Sequence, residues 1–348
     1  MMQVRILDED RCKRVKWDEF VQKHPEGSFF HLAGWKNIIE SVYRQPAYYL
    51  YVEQGDEIQG VLPLGHVKSR LFSNALISIP FYVQGGILAN SAEAFDALKS
   101  HAMNLAKELK VEYLELRNVN AQIGKQDTKW KTKDGLYFRF RKELDSDVEQ
   151  NLKNIPRKQR AMVRKGISAG LESAYEDVVD EFYESYARSL KQLGTPAFSR
   201  SLFHALRSEF GEACDIMTVR KDGELVASVM SFYFRDEVLP YYAGTSDKAR
   251  GLKAHDFMYW ELMRRSVERG YRWFDYGRSK AGTGSFSFKK NWGFEPEPMQ
   301  YEYYLVGADD IPNISPTNPK YSLFISMWQK MPLWATKVIG PHIVRNIG

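Results

Sequence analysis

Ile216-Met217-Thr218-Val219-Arg220-Lys221-Asp222-Gly223-Glu224-Leu225-Val226-Ala227-Ser228-Val229-Met230-Ser231-Phe232-Tyr233 is the stretch from which the rest of the chain can be read. Its β-branched and apolar runs predict strands over 216–220 and 225–233. Lys221-Asp222-Gly223 between them is turn chemistry, so the two strands form a hairpin. Working toward the C-terminus, 237–243 reads as a further strand closed by Gly244. A helix follows over 255–269, with Phe257, Trp260, Leu262, Met263 and Val267 at helical spacing. Gly270 is its natural stop. A last strand, 272–276, completes the unit.

The first half repeats this order. Strand 48–53, the turn Gln54-Gly55-Asp56 and strand 58–67 make a hairpin. An apolar strand over 76–83 leads to Gly85-Gly86, an amphipathic helix covers about 92–109, and strand 113–116 closes the unit. Glu115 thereby corresponds to Asp275. Hairpins combined with a crossover helix predict an α/β class of mixed α+β content, with twisted mixed sheets flanked by helices. This is also the element order of the acetyltransferase (GNAT) superfamily, here expected twice in tandem, over 1–145 and 146–305. A Pro-punctuated tail over 312–348 carries a helical stretch around 321–338. Its Leu323, Phe324, Met327, Trp328, Met331, Leu333 and Trp334 predict that 306–348 packs back on the first unit. The rival reading is docking on the inner-membrane surface, aided by Lys330, Lys337 and Arg345.

Bulk properties bound the function. A chain of 348 residues is too long for one ordinary core, and 44% hydrophobic with 27% charged residues excludes wholesale disorder. A net charge of +5 suits an anionic substrate or a membrane surface and does not mark a dedicated nucleic-acid binder. Cys12 and Cys214 offer no disulfide framework, and the seven histidines lack paired-ligand spacing, so no metal site is expected. The segment 1–17 has no apolar core of a secretory signal, and no run approaches the ~18 apolar residues that span a bilayer. The expected location is the cytoplasm.

The richest chemistry lies in Phe274-Asp275-Tyr276-Gly277-Arg278-Ser279-Lys280-Ala281-Gly282-Thr283-Gly284-Ser285-Phe286-Ser287-Phe288-Lys289-Lys290-Asn291-Trp292-Gly293-Phe294. It reads as a strand ending in a glycine-rich loop. Gly277, Gly282 and Gly284 let amides approach a ligand, while Arg278 and Lys280 supply charge for a phosphate or carboxylate. A second cationic cluster, Lys153 to Lys165, contains no acid. On a helix after Pro156 it sets Arg157, Arg160 and Arg164 on one face, able to bind phosphates. His31, Tyr242 and Trp292 are aromatic candidates for a cleft wall. The acetyl-CoA loop of ordinary acetyltransferases, [RQ]-x-x-G-x-[GA], is met imperfectly by Lys248-Ala249-Arg250-Gly251-Leu252-Lys253, where Lys253 takes the small-residue place.

These blocks resemble the FemAB-like proteins, and within them the group linked to the exosortase (XrtA/PEP-CTERM) system. The resembling segments are Gly27-Ser28-Phe29-Phe30-His31 with Trp35, then Pro80-Phe81-Tyr82-Val83-Gln84-Gly85-Gly86 and Asn154-Ile155-Pro156-Arg157-Lys158-Gln159-Arg160. The last is Gly277 to Gly284 continuing through Phe288-Lys289 to Trp292-Gly293-Phe294-Glu295-Pro296. The resemblance implies two GNAT-like domains that transfer an acyl or aminoacyl group to a cell-envelope or exopolysaccharide-related acceptor. Peptidoglycan-building relatives take the amino acid from aminoacyl-tRNA. It also implies that Lys289 first, and Lys290 second, serve the transfer through an F-K-K-like segment. In the mechanism expected from the residues themselves, Asp275, or Glu115 by the repeat, accepts a proton. No permanently bound cofactor is implied; the co-substrate is aminoacyl-tRNA or acyl-CoA. The partner is an anionic acceptor bearing a diphosphate or nucleotide, either small or lipid-linked. The paired-helix insertion of some tRNA users is absent, which counts against tRNA. A coenzyme-A-dependent acetyltransferase and a non-catalytic accessory binding protein are the alternatives.

Overall fold

The computed structural model describes residues 3–69, 74–118, 129–311 and 322–346. Along the chain run β1 (Val4–Ile6), α1 (Arg11–Lys23), α2 (Gly34–Ser41), β2 (Ala47–Gln54), β3 (Glu57–Lys68), β4 (Asn74–Ser78), β5 (Leu88–Ala89), α3 (Ala92–Glu108), β6 (Tyr113–Asn118) and β7 (Trp130–Glu143). After them come α4 (Val148–Asn154), α5 (Arg157–Ser168), β8 (Glu172–Tyr175), α6 (Val179–Leu193), α7 (Arg200–Phe210), β9 (Cys214–Lys221) and β10 (Glu224–Phe234). The chain closes with β11 (Glu237–Thr245), α8 (Ala249–Leu252), α9 (Ala254–Glu268), β12 (Trp273–Lys280), α10 (Gly284–Asn291), β13 (Glu297–Leu305), α11 (Ser322–Lys330) and α12 (Leu333–Val344). Two units divide these elements. The first holds Met1–Tyr137, Pro298–Ile314 and Arg345–Gly348; the second holds Phe138–Glu297 and Ser315–Val344.

In the first unit the strands lie in the order β1-β2-β3-β4-β6-β13. All neighbours are antiparallel except β4 and β6, which run parallel from Ala75↔Tyr113 to Ile77↔Glu115. The crossover between them is α3, whose N-cap Ser91 accepts the Ala94 N–H. Leu98, Ala102 and Leu105 of α3 pack on Leu50, Leu62, Leu64 and Leu76 of the sheet. The expected strand over 76–83 is shorter than its apolar run suggests. It ends at Ser78 because Ile79 (φ 47) and Phe81 (φ 74) turn left-handed on either side of Pro80. The segment that follows is pinned inward: Arg117 Nη1 donates to the Tyr82 carbonyl at 2.6 Å and Gly85 N–H to the Arg117 carbonyl at 3.0 Å. Gly86 sits so close to Asn118 that a Cβ would lie 1.4 Å from its Oδ1. Gly86→Ala is therefore expected to cost ~1–3 kcal/mol in urea unfolding; a variant of wild-type stability would contradict this packing.

In the second unit residues 138–143 of β7 precede the order β12-β11-β10-β9-β8. The β9–β10 hairpin turns on Asp222 (φ 51) and Gly223 (φ 81), the left-handed pair of an Asp-Gly turn. Phe257, Met258, Trp260 and Leu262 of α9 fill one core with Val229, Val238 and Phe274. The opposite side of β11 is covered by α6, seated so tightly that a Cβ on Gly244 would lie 2.4 Å from Ser185 Oγ.

The tail differs from the expectation that 306–348 covers the first unit. Met331-Pro332 breaks it into two helices, α11 and α12, and both pack on α6 of the second unit. Small residues make this seat. A Cβ on Gly194 would be 2.4 Å from Ile325 Cγ2, and one on Gly340 would be 2.9 Å from the Ala197 carbonyl. Residues 312–321 lie outside the described residues, and the side chain of Leu323 does too.

Candidate active site

The site is built on a fork in the second sheet. β11 and β12 are parallel but share only two ladder pairs, Glu237↔Trp273 and Val238↔Phe274. Both strands then run on without pairing each other. Each carries an irregularity just past the parting point. On β11 the register against β10 shifts between Met230↔Tyr242 and Ser231↔Pro240, which leaves Tyr241 as the extra residue of a bulge. On β12 Gly277 takes φ 65. Parallel strands that part at their carboxyl ends expose main-chain groups to a ligand, the usual place for a site in α/β sheets.

Beyond the fork the glycine-rich segment differs from the expected loop. β12 continues through Lys280, so Arg278 and Lys280 are half-buried strand residues. The turn is only Ala281-Gly282-Thr283, with Gly282 at φ 74. Thr283 then caps α10, its Oγ1 accepting the Phe286 N–H at 3.3 Å. Gly284 is thus the first helical residue and no part of a loop cradle.

Lys289 points from α10 back to the fork. Its Nζ donates to the carbonyls of Tyr276 (2.7 Å), Gly277 (3.2 Å) and Arg278 (3.1 Å). Three donors therefore meet three acceptors on the end of β12 around Gly277. The side chain is 8% exposed, and the Phe140 ring centroid lies 5.5 Å from Nζ. Burial pulls its pKa down to about 7; the Asp275 charge opposes that pull and Arg278 adds to it. Lys290, on the same helix, is exposed.

Asp275 lies on the fork itself and is 3% exposed. Its Oδ1 accepts the Gly277 N–H at 2.7 Å, and its Oδ2 accepts Arg139 Nε at 2.8 Å. Arg139 also donates through Nη2 to Glu237 at 2.8 Å, and Arg141 Nε reaches the other Glu237 oxygen at 3.2 Å. The Arg141 guanidinium stacks 3.6 Å from the Trp273 ring centroid. Burial first, and the Asp275 charge second, push the Glu237 carboxyl up to about 7. With both oxygens engaged, Asp275 fixes the left-handed Gly277 and the Arg139 cation beside it. This geometry suits a positioning group better than the proton acceptor expected from the sequence.

On the other side of β12 stands an aromatic wall. His255 and Tyr259 of α9 meet with ring centroids 4.9 Å apart, His255 and Phe288 at 4.8 Å, and Tyr259 and Tyr276 at 4.8 Å. Burial drives the His255 imidazole down to about 4, so it is neutral near pH 7. Tyr276 Oη and Ser279 Oγ are buried without a hydrogen-bond partner. Trp292 and Tyr242 are corrections to the expected cleft wall. Trp292 is 1% exposed, its Nε1 donating to Asp256 at 3.2 Å, and Tyr242 is enclosed by Tyr186, Phe198, Phe203 and Phe232. His31 is likewise a structural residue of the first unit, 2.8 Å from Ser28 Oγ and 3.2 Å from the Gly86 carbonyl.

The two remaining phosphate candidates differ in quality. The segment Lys248 to Ala254 folds as α8, a left-handed Lys253 (φ 58), and the start of α9. The first turn of α9 already carries Asp256, held by Gln159 and Trp292. A carboxylate there competes with a diphosphate for the positive helix end. By contrast α5 buries only Gln159, Val163 and Gly166, leaving Arg157 and Arg164 exposed and Arg160 half-buried with Nη1 on the Lys153 carbonyl. Among the described residues no carboxylate forms an ion pair with Arg157, Lys158, Arg160, Arg164 or Lys165. The start of α5 touches the end of α10, where a Cβ on Gly293 would lie 3.2 Å from Pro156. Sequence reasoning missed Arg139, Arg141 and Glu237, because nothing local to β7 or β11 announces partners on β12.

A forked sheet with the crossover helix α9 beside it is the arrangement of a GNAT-type fold. The family model described as "Acetyltransferase (GNAT) domain" matches residues 150–290, most of the second unit. No curated protein sequence matches the chain significantly. Solved structures share the fold at low identity. FemX matches at TM-score 0.69 and 16% identity, covering 93% of this chain and 100% of its own. The C-terminal domain of a putative lysylphosphatidylglycerol synthetase from Agrobacterium fabrum matches at 0.58 and 14%, over 84% of this chain and 91% of its own. A tandem GNAT protein from the clavulanic acid biosynthesis pathway matches at 0.56 and 14%, over 89% and 100%. The two-unit arrangement is therefore a tandem GNAT-like fold.

Proposed function

We propose that this chain is a FemAB-like transferase that passes an activated acyl or aminoacyl group to an amine or hydroxyl of a cell-envelope or exopolysaccharide precursor. The observation that carries the reading is Lys289, a buried cation bonded to three carbonyls at the parting of β11 and β12. Its charge lies where a donor carbonyl would rest against the strand ends, and it favours negative charge growing on that oxygen. Attack by the acceptor needs no covalent intermediate. Alignment of two bound substrates supplies on the order of 7–11 kcal/mol in favourable cases. Asp275 and Arg139 hold the turn of β12 at Gly277 in place, and Arg278 and Lys280 on the same strand offer charge to a phosphate.

The donor would lie along the unpaired cations of α5. Both aminoacyl-tRNA and acyl-CoA carry phosphates that suit this helix, and the names of two neighbours with the same fold, FemX and a lysylphosphatidylglycerol synthetase, support an envelope or lipid-linked acceptor. A thermal-shift comparison of acetyl-CoA with charged tRNA decides the donor, since a ligand of the native state raises Tm. Whichever donor stabilises the protein, the triple variant R157E/R160E/R164E is expected to weaken its binding by at least about tenfold at low salt. It should leave the unfolding midpoint nearly unchanged. Unaltered affinity would remove α5 from the donor site.

A further inference from the structure

The helices α11 and α12 invert the usual economy of burial. Trp328, Ala335, Thr336 and Gly340 face the second unit, while the large apolar side chains face out. Trp334 is 69% exposed, Val338 61% and Met327 60%, while Phe324 at 40% and Ile339 at 41% are less so. Phe324 and Met327 are one turn apart on α11, and Trp334 and Val338 one turn apart on α12, so each helix presents a stripe. Leu193, at the end of α6 beside the glycine that seats Ile325, is also 69% exposed. Six of the nine exposed large hydrophobics among the described residues thus gather on this one element group.

The charges around the stripe have one sign along the tail. From 311 to 348 the sequence contains no Asp or Glu, while Lys330 and Lys337 flank the exposed apolar residues. Lys337 reaches back to Glu184 at 2.6 Å, and Lys191 of α6 bonds the Gln329 carbonyl at 2.8 Å. Neither helix is long enough to cross a bilayer, and no helix among the described residues is long and apolar enough to do so. Short helices with Trp, Phe and Met outward, cations beside them and no acid of their own suit the interfacial plane of an anionic bilayer. A second copy of the chain fits less well, because a two-fold contact through this patch would set its lysines against their own copies.

We infer that α11 and α12 form a monotopic docking surface for anionic lipid, with Trp334 and Met327 entering the headgroup boundary. This inference is independent of which group the forked site transfers. Flotation of the full chain with vesicles of phosphatidylethanolamine and phosphatidylglycerol, and separately with phosphatidylcholine vesicles, tests it. The chain is expected to float with the anionic vesicles and weakly with the neutral ones. The double variant W334S/M327S should partition at least about tenfold less, with unchanged circular dichroism and Tm, because both residues project into solvent. Three results would overturn the inference. They are no flotation, flotation equal for wild type and variant, and a concentration-dependent dimer that the variant abolishes while neither protein floats.

Discussion

Lys289→Met is expected to lower the transfer rate by about 10²–10³-fold, the size of effect seen when one preorganised electrostatic group is removed. The side chain does two things at once, and each has its own readout. As a cation it sets the potential at the fork. As a three-fold donor it satisfies the Tyr276, Gly277 and Arg278 carbonyls, so its loss should also cost about 1–3 kcal/mol of stability. Its pKa of about 7 gives a signature that plain misfolding does not. If the protonated form is the active one, wild-type rate falls as pH rises through about 7, and Lys289→Arg moves that limb out of range. Stability runs the other way. The unfolded chain binds this proton more tightly than the folded one, so wild-type stability rises with pH from about 7 toward the ordinary lysine range, and Lys289→Met lacks that rise. A Lys289→Met enzyme with full activity would remove the residue from the chemistry.

Arg139→Met is expected to be the most destabilising single change in the second unit, by ~3–5 kcal/mol in urea unfolding, because it strands charge in the interior. Asp275 would lose its charged partner and keep only the Gly277 N–H, and Glu237 would keep only Arg141. One of the two carboxyls should then stay protonated at neutral pH, since two buried acids without their cation cannot both ionise cheaply. The wild type already shows the direction of this coupling. The Glu237 carboxyl sits at about 7, above its unfolded value near 4.5, so the folded chain holds the proton more tightly. That contribution to stability is complete below the unfolded value and is lost as pH rises through about 7. A cost under about 1 kcal/mol for Arg139→Met would mean that the network is solvated.

Much of the fold is legible in local signals. The Asp222-Gly223 turn, Gly270 after α9 and Ser91 at the start of α3 each announce an element boundary through backbone chemistry confined to a few residues. The two matching parallel pairs, β4 with β6 and β11 with β12, follow from the crossover helix between hairpin and final strand. What failed were statements about environment. Tyr242 and Trp292 read equally well as cleft or core, and only residues far along the chain decide it: Tyr186 and Phe203 for the one, Asp256 for the other. The Asp275–Arg139 pair spans 136 positions, beyond any motif. The tail misled because apolar residues on short helices predict burial, whereas here glycines and alanine make the seat and the large side chains remain outside.

Backbone hydrogen exchange of the full chain with unreactive donor mimics, a ketone analogue of acyl-CoA with a methylene between carbonyl and sulfur and an amide-linked aminoacyl-adenosine RNA, bears most directly on the forked site. One of the two is expected to slow exchange along 239–245 of β11 and 275–280 of β12, and Lys289→Met should weaken that protection. Protection confined to the first unit, or transfer activity without any change at the fork, would contradict the assignment.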